Sequence, residues 1–258
     1  GVDYSKPQLS HAFSQQQTAQ HLTRKTAEEL RQELKMMLLN GQRVEAIHPN
    51  QRTVQVNGRT LAYSKLVLAT GARAFIPPVA GDANEEILTL NSLQEYLYLR
   101  ERMAYGERVL VIGGGLIGTE IAHDLAVAGK RVTVCDPSPY LLASLLPEFA
   151  AQRLSTVLRD LSCELMLNNT LEMLQRLPQG VRATFTRGEE REFDHVICAA
   201  GLRPNIELAA QAGLNVERGI VVDNQLRTSD SYIYALGDVA QIEGRLWPFL
   251  QPISQSAA

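Results

Sequence analysis

The chain has 258 residues, 45% hydrophobic and 21% charged, with 25 Lys+Arg against 28 Asp+Glu for a net charge of −3. This is the composition of an ordinary globular protein of about two domains. The small net charge excludes a general nucleic-acid binder and gives no strong attraction to an anionic membrane, and no apolar run approaches the length of a spanning helix.

In chain order, Thr26-Ala27-Glu28-Glu29 has the form of a capping box and opens an amphipathic run to Leu39, closed by Asn40-Gly41. Strands follow at 43–47, 53–56 and 59–63, the last two joined by Asn57-Gly58, a hairpin signal because both turn positions need positive φ. A short apolar strand at 65–69 ends on Thr70-Gly71. The stretch 72–91, with Pro77-Pro78 and Gly81, reads as a linker. A second capping box, Ser92-Leu93-Gln94-Glu95, starts a helix to about Tyr105.

Strand and helix then alternate: strand 108–112, helix 116–128, strand 131–135, helix 147–160, strand 162–167. Three β-like runs at 171–177, 181–187 and 195–199 follow, and short strands at 220–223 and 232–236 close the pattern. This alternation predicts an α/β fold with a parallel sheet and right-handed crossovers.

The chemistry-bearing motif lies inside that alternation. Gly113-Gly114-Gly115-Leu116-Ile117-Gly118 is GxGxxG, entered from an apolar strand and leaving into an apolar helix. Gly113 permits the tight turn, Gly115 lets the backbone approach a pyrophosphate, and Gly118 lets the helix pack closely on its strand. The helix N-terminus, at Leu116 and Ile117, supplies free amides and partial positive charge for phosphates. Asp136 ends the next strand, 23 residues after Gly113, where an acid accepts the ribose hydroxyls of a dinucleotide. The same carboxylate repels a 2′-phosphate, and Pro137-Ser138-Pro139-Tyr140 offers no cation, so NADH is expected over NADPH.

Three cysteines, Cys135, Cys163 and Cys198, are spaced 28 and 35 residues apart, which is neither a disulfide framework nor a CxxC or zinc pattern. They are expected to be buried apolar side chains, and their free state points to the reducing cytoplasm. No metal site is expected.

Three further segments carry a family resemblance: 67–72 (Val-Leu-Ala-Thr-Gly-Ala), 196–205 (Val-Ile-Cys-Ala-Ala-Gly-Leu-Arg-Pro-Asn) and 228–238 (Thr-Ser-Asp-Ser-Tyr-Ile-Tyr-Ala-Leu-Gly-Asp). In this order around an internal GxGxxG, the chain resembles the FAD-dependent pyridine nucleotide-disulfide oxidoreductase superfamily. The opening residues 4–11 are similar to its rubredoxin and ferredoxin reductase branch. The resemblance implies two Rossmann-like three-layer domains, with the NAD domain inserted into a split FAD domain. The corresponding boundaries are 1–91 for the first part of the FAD-binding domain, 92–219 for the NAD(H)-binding domain and 220–258 for the second part of the FAD domain.

It further implies that Asp238 holds the flavin ribityl chain, Thr70 and Gly71 line the crossover between domains, and Val44 meets the adenine end through its backbone. Lys6 and Pro7 would lie near the isoalloxazine, Glu120 beside the nicotinamide, and Gly201 at the border of the nicotinamide pocket. Many relatives carry lysine where this chain has His11, whose pairing with Glu120 would depend on pH near neutrality. The strand and glycine loop that serve the FAD adenosine in the family, and its C-terminal interface domain, are expected to lie outside this sequence.

The implied activity is hydride transfer from NADH to FAD and electron transfer to a rubredoxin or flavorubredoxin of nitric oxide detoxification, with no nucleic-acid or membrane partner. A redox cysteine pair, or a lone early cysteine, would mark the disulfide reductase and peroxidase branches; residues 9–14 hold neither. A ferredoxin reductase-type component and a non-catalytic NAD-binding fragment are the competing readings.

Overall fold

A computed structural model describes residues 2–256. They pack as two compact units, one of residues 2–36 and 74–201, the other of 37–73 and 202 onward.

The first unit is organised by a five-stranded, all-parallel sheet of β1 (Ile87–Leu88), β2 (Arg108–Ile112), β3 (Arg131–Asp136), β4 (Glu164–Leu167) and β5 (His195–Cys198), in the order β4-β3-β2-β5-β1. Its strands are apolar on both faces because both are covered. Along β2, Val109 and Val111 face a core shared with Tyr96, Ile121, Leu125 and Leu158, while Leu110 and Ile112 face a second core with Phe185 and Phe193. The first core is roofed by α3 (Leu93–Arg102), α4 (Leu116–Val127) and α5 (Glu148–Asp160), and by the N-terminal segment through Leu9, Ala12 and Phe13. That segment contains the single-turn helix α1 (His11–Ser14), and Phe13 meets Tyr96 edge-to-face with ring centroids 4.9 Å apart. The second core is closed by a sheet of Leu171–Arg176, Val181–Phe185 and Glu190–Phe193.

The second unit holds the antiparallel meander Val44–His48, Thr53–Val56 and Arg59–Ala62. Asn57 and Gly58 both take positive φ at its tight turn, as the Asn-Gly pair predicts. Leu66–Leu68 pairs in parallel with Ile233–Ala235 over a core of Ile47, Leu68, Ile220 and Ile233.

Three local expectations are corrected. The run expected to reach Leu39 is helical only as α2 (Ala27–Leu34): Thr26 and Glu29 form the reciprocal cap, but the helix buries no residue and Lys35 turns left-handed. With no core to cover, Met37 remains 79% exposed, so apolar composition alone does not prolong the helix. The 72–91 stretch is not a bare linker. Ala80–Gly81 pairs in parallel with Met173 and Leu174, and β1 forms the sheet edge beside β5. The second capping box is half made: the Ser92 hydroxyl accepts from Glu95 N at 3.2 Å, while the Glu95 carboxylate takes the amide of Asn91 instead of Ser92.

All three cysteines are free and buried. Burial, with the Asp136 and Glu189 charges behind it, pushes the Cys135 thiol up to about 12, and burial pushes Cys163 up to about 11. Neither is a thiolate at neutral pH. Among the described residues, no helix is long and apolar enough to cross a membrane.

The entry to β2 is tied by Asp194, which accepts from Glu107 N at 2.8 Å, Arg108 N at 2.9 Å and Arg108 Nη2 at 2.8 Å. The Arg108 guanidinium first, then the two amides, hold its carboxyl far below the usual carboxylate range. Because the folded pKa is depressed, the stabilisation is present above the unfolded-state value of about 4 and is lost as pH falls below it. Asp194→Ala is expected to cost about 2 kcal/mol at pH 7 by urea denaturation, with the gap to wild type shrinking progressively below about pH 4.

Candidate functional site

The turn from β2 into α4 is built by three glycines used in three ways. Gly113 sits at φ +109°, and a Cβ there would lie 2.6 Å from the Ala199 carbonyl oxygen. Gly118 is tighter still: its Cβ would fall 1.9 Å from the Gly113 carbonyl oxygen, so the first turn of α4 rests directly on the backbone of the loop. Gly115 is the opposite case, with nothing within 4 Å of where a Cβ would stand. It is the N-cap of α4, a helix of twelve residues, and Leu116 and Ile117 beyond it are 44% and 40% exposed. An open cap, exposed first-turn residues and the positive end of a helix dipole form a cradle that an anionic group can approach closely.

Asp136 closes the other side. Its Oδ2 accepts from Gly114 N at 2.6 Å and its Oδ1 from Ser138 N at 2.7 Å. Gly113 N donates to Cys135 O at 2.8 Å, and Leu142 N to Gly114 O at 2.8 Å. The carboxylate therefore anchors the glycine loop as well as standing at the end of β3. Each oxygen keeps acceptor capacity beyond its one amide.

Glu120 lies on α4 one turn after Leu116, along a cavity of about 240 Å³ shared with Thr119, His123, Asp124, Leu142 and Leu154. Its side chain reaches solvent, yet the protein around its base, and then the Asp124 carboxylate, raise its pKa. Lys6 and Pro7 are exposed on a single 3₁₀ turn, Lys6–Gln8, in the same compact unit. Gly201 is exposed at φ +118°, and its carbonyl accepts from Phe75 N at 2.9 Å.

In the other unit, Thr70 and Gly71 are laced to Asn205. Thr70 Oγ1 donates to Asn205 O at 2.9 Å, Asn205 Nδ2 donates to Thr70 O at 2.8 Å, and Asn205 N donates to Gly71 O at 2.9 Å. Val44 and Thr70 line one cleft of about 800 Å³ with Arg43, Leu68, Arg73 and Asn205. Asp238 occupies the single turn Gly237–Val239 directly after Ile233–Ala235. The glycine-loop residues Gly113, Gly115, Leu116, Ile117 and Gly118, with Asp136 and Glu120, thus gather in one unit, and Thr70, Gly71 and Val44 gather in the other.

Two residues escape a reading by motif. Asn205 sits in the quoted 196–205 segment, but only the structure shows its side chain locking Thr70. Asp124 is the other. His11 turns to it, with Nδ1 at 3.4 Å from Asp124 Oδ1, in place of the expected pairing with Glu120. The one available signal is the four-residue spacing of Glu120 and Asp124, which puts both carboxylates on one helix face.

The chain matches the profile of the pyridine nucleotide-disulphide oxidoreductase family over residues 2–255. It is 51% identical over 257 residues to a protein of Vibrio vulnificus named nitric oxide reductase FlRd-NAD(+) reductase, covering 100% of this chain and 67% of that protein. A protein of the same name from Aliivibrio fischeri is 44% identical over 257 residues, covering 100% and 68%. Among solved structures, a ferredoxin reductase from Rhodopseudomonas palustris superposes with a TM-score of 0.92 at 28% identity, covering 99% of this chain and 65% of that one. The chain thus spans about two thirds of the length of these relatives.

The two glycine environments separate by substitution. Gly118→Ala is expected to lower stability by about 3 kcal/mol, because the Gly113 carbonyl cannot yield without moving β2 or α4. Gly115→Ala is expected to stay within about 1 kcal/mol of wild type, the cost of a poorer N-cap. Chemical denaturation of both variants checks the contrast.

Proposed function

The chain belongs to the pyridine nucleotide-disulphide oxidoreductase family, and from that premise we propose that it passes hydride from NADH to FAD and electrons onward to a rubredoxin-type acceptor. FAD, when bound, would supply the redox chemistry, as a two-electron hydride acceptor from NADH and a one-electron donor to the acceptor protein. The chain's own part is to bind and orient. The observation that carries the reading is the open Gly115 cap of α4, set beside an Asp136 that ends the neighbouring strand.

In this reading the Leu116 and Ile117 amides meet the pyrophosphate, and Asp136 accepts the ribose hydroxyls on the lone pairs that the loop amides leave. A 2′-phosphate would meet the negative charge of this carboxylate. NADH is therefore the donor. Glu120 stands at the nicotinamide, with Gly201 at the border of its pocket. Lys6 and Pro7 face the isoalloxazine, Thr70 and Gly71 line the crossover, Val44 meets the adenine end, and Asp238 holds the ribityl chain. Residues 1–91 and 220–258 then supply the two parts of the FAD-binding domain and 92–219 the NAD(H)-binding domain.

The name shared by the Vibrio and Aliivibrio relatives favours flavorubredoxin as acceptor. The superposition on a ferredoxin reductase supports a ferredoxin-type acceptor as the second reading. The free, buried thiols suit a cytoplasmic protein.

The test uses the full-length protein, with NADH or NADPH as donor and a rubredoxin-type or ferredoxin-type iron protein as acceptor. Faster turnover with NADH and the rubredoxin-type acceptor is expected; equal or higher rates with ferredoxin replace the first acceptor by the second. Asp136→Asn keeps an acceptor for Gly114 N but removes the charge. It is expected to narrow the preference for NADH over NADPH about tenfold in kcat/KM, or about 1.4 kcal/mol.

A further inference from the structure

Asp124 is a carboxylate with 8% of its side chain exposed, on a helix that contributes Ile121, Ala122 and Leu125 to the core. Burying a carboxylate is costly unless charge and hydrogen bonds compensate. Among the described residues, no lysine or arginine pairs with it. Its Oδ1 is approached by His11 Nδ1 at 3.4 Å, His123 Nδ1 at 3.3 Å and Ser14 Oγ, which donates at 3.2 Å. Gln17 Nε2 donates to Gln15 Oε1 at 2.6 Å, and Gln15 Nε2 donates to His11 Nε2 at 2.7 Å. In neutral His11 with Nε2 accepting from Gln15, the ring proton is on Nδ1, which faces Asp124 Oδ1 at 3.4 Å and Ser14 Oγ at 3.3 Å, and the imidazolium forms when the Gln15 amide turns its oxygen to Nε2.

The two imidazoles are 58% and 47% exposed, so their protons exchange with solvent while the acceptor they share stays buried. The remaining wall of the cavity beside Asp124 is Leu116, Thr119, Leu142 and Leu154. The titratable groups facing Asp124 are therefore His11 from α1, and His123 and Glu120 from α4. With both imidazoles neutral, Asp124 and Glu120 stand as two carboxylates one turn apart. Each imidazolium that forms cancels one of those charges.

We propose that Asp124 is a positioning residue that holds His11 and His123 on the helix that carries Glu120 and makes hydride departure from NADH depend on whether those imidazoles are protonated. The proposal rests on the placement of Glu120 at the nicotinamide given above. When hydride leaves, the C4–H bond of the nicotinamide breaks, its electron pair and hydrogen pass to the flavin, and the ring is left positive. Net negative charge on this face of α4 favours that developing charge. Deprotonating the imidazoles therefore speeds flavin reduction, and protonating them slows it.

Two readouts on the full-length protein test this, and one does not involve turnover. The imidazole titrations of His11 and His123, followed by NMR before NADH is added, are compared in wild type, Asp124→Asn and Asp124→Glu. Losing the neighbouring anion is expected to displace both midpoints downward in Asp124→Asn. Asp124→Glu is expected to restore them, and His21, His48 and His195 are expected not to move in either variant. The pH profile of flavin reduction by NADH is expected to follow the same displacement.

Unchanged midpoints for His11 and His123 in Asp124→Asn overturn the pairing. Midpoints that move while the rate profile stays fixed overturn its coupling to hydride departure. If NADH fails to reduce the flavin of the wild-type protein, the proposed function falls instead, and the titrations still decide the pairing.

Discussion

The feature on which the candidate site depends is the absence of space for a single carbon atom at Gly118. Its Cα rests against the Gly113 carbonyl, and Gly113 in turn lies against the backbone at Ala199. Three pieces of structure, the end of β2, the start of α4 and the end of β5, are thereby held at the contact distance of bare backbone. The direction of α4 follows from that contact. With it follow the exposure of Leu116 and Ile117, the open cap at Gly115, and the run of Glu120, His123 and Asp124 along the helix.

The sequence makes this arrangement readable because the constraint is local. A strand, a turn needing positive φ, a close helix approach and an acid at the next strand end all fall within residues 108–136, and each calls for a distinctive residue type. The Asn57-Gly58 turn was legible on the same ground: only residues that tolerate positive φ at two successive positions satisfy it. What was not legible depends on partners far away in the chain. Ala80–Gly81 and Ile87–Leu88 become strands because Leu174 and β5 offer them an edge, and no periodicity over two residues can announce that. The helix after Thr26 stops at Leu34 because no core receives its apolar side, although its residues would allow it to continue.

The same division runs through the site. Gly113, Gly115, Gly118 and Asp136 were recognisable from spacing, since their roles are set by backbone geometry. Asp124 was hidden, since its significance comes from His11, 113 positions earlier, and from a burial that only the packing of α1 on α4 creates. Asn205 was hidden for the same reason, its amide reaching across 135 positions to Thr70. Charge assignments are the part of such a site that sequence conveys least. Glu120 carries a raised pKa, and Cys135 a thiol that does not ionise, because of what surrounds them.

The bond from Gly114 N to Asp136 has an evolutionary corollary. In the role proposed above, one carboxylate would both close the turn and meet the coenzyme ribose, so that selectivity and loop geometry would be inherited together. A lineage drifting toward the phosphorylated coenzyme cannot discard this acid in one step without leaving the Gly114 amide without its acceptor. Replacement must arrive with a substitute acceptor, or pass through a neutral intermediate that keeps one oxygen in place.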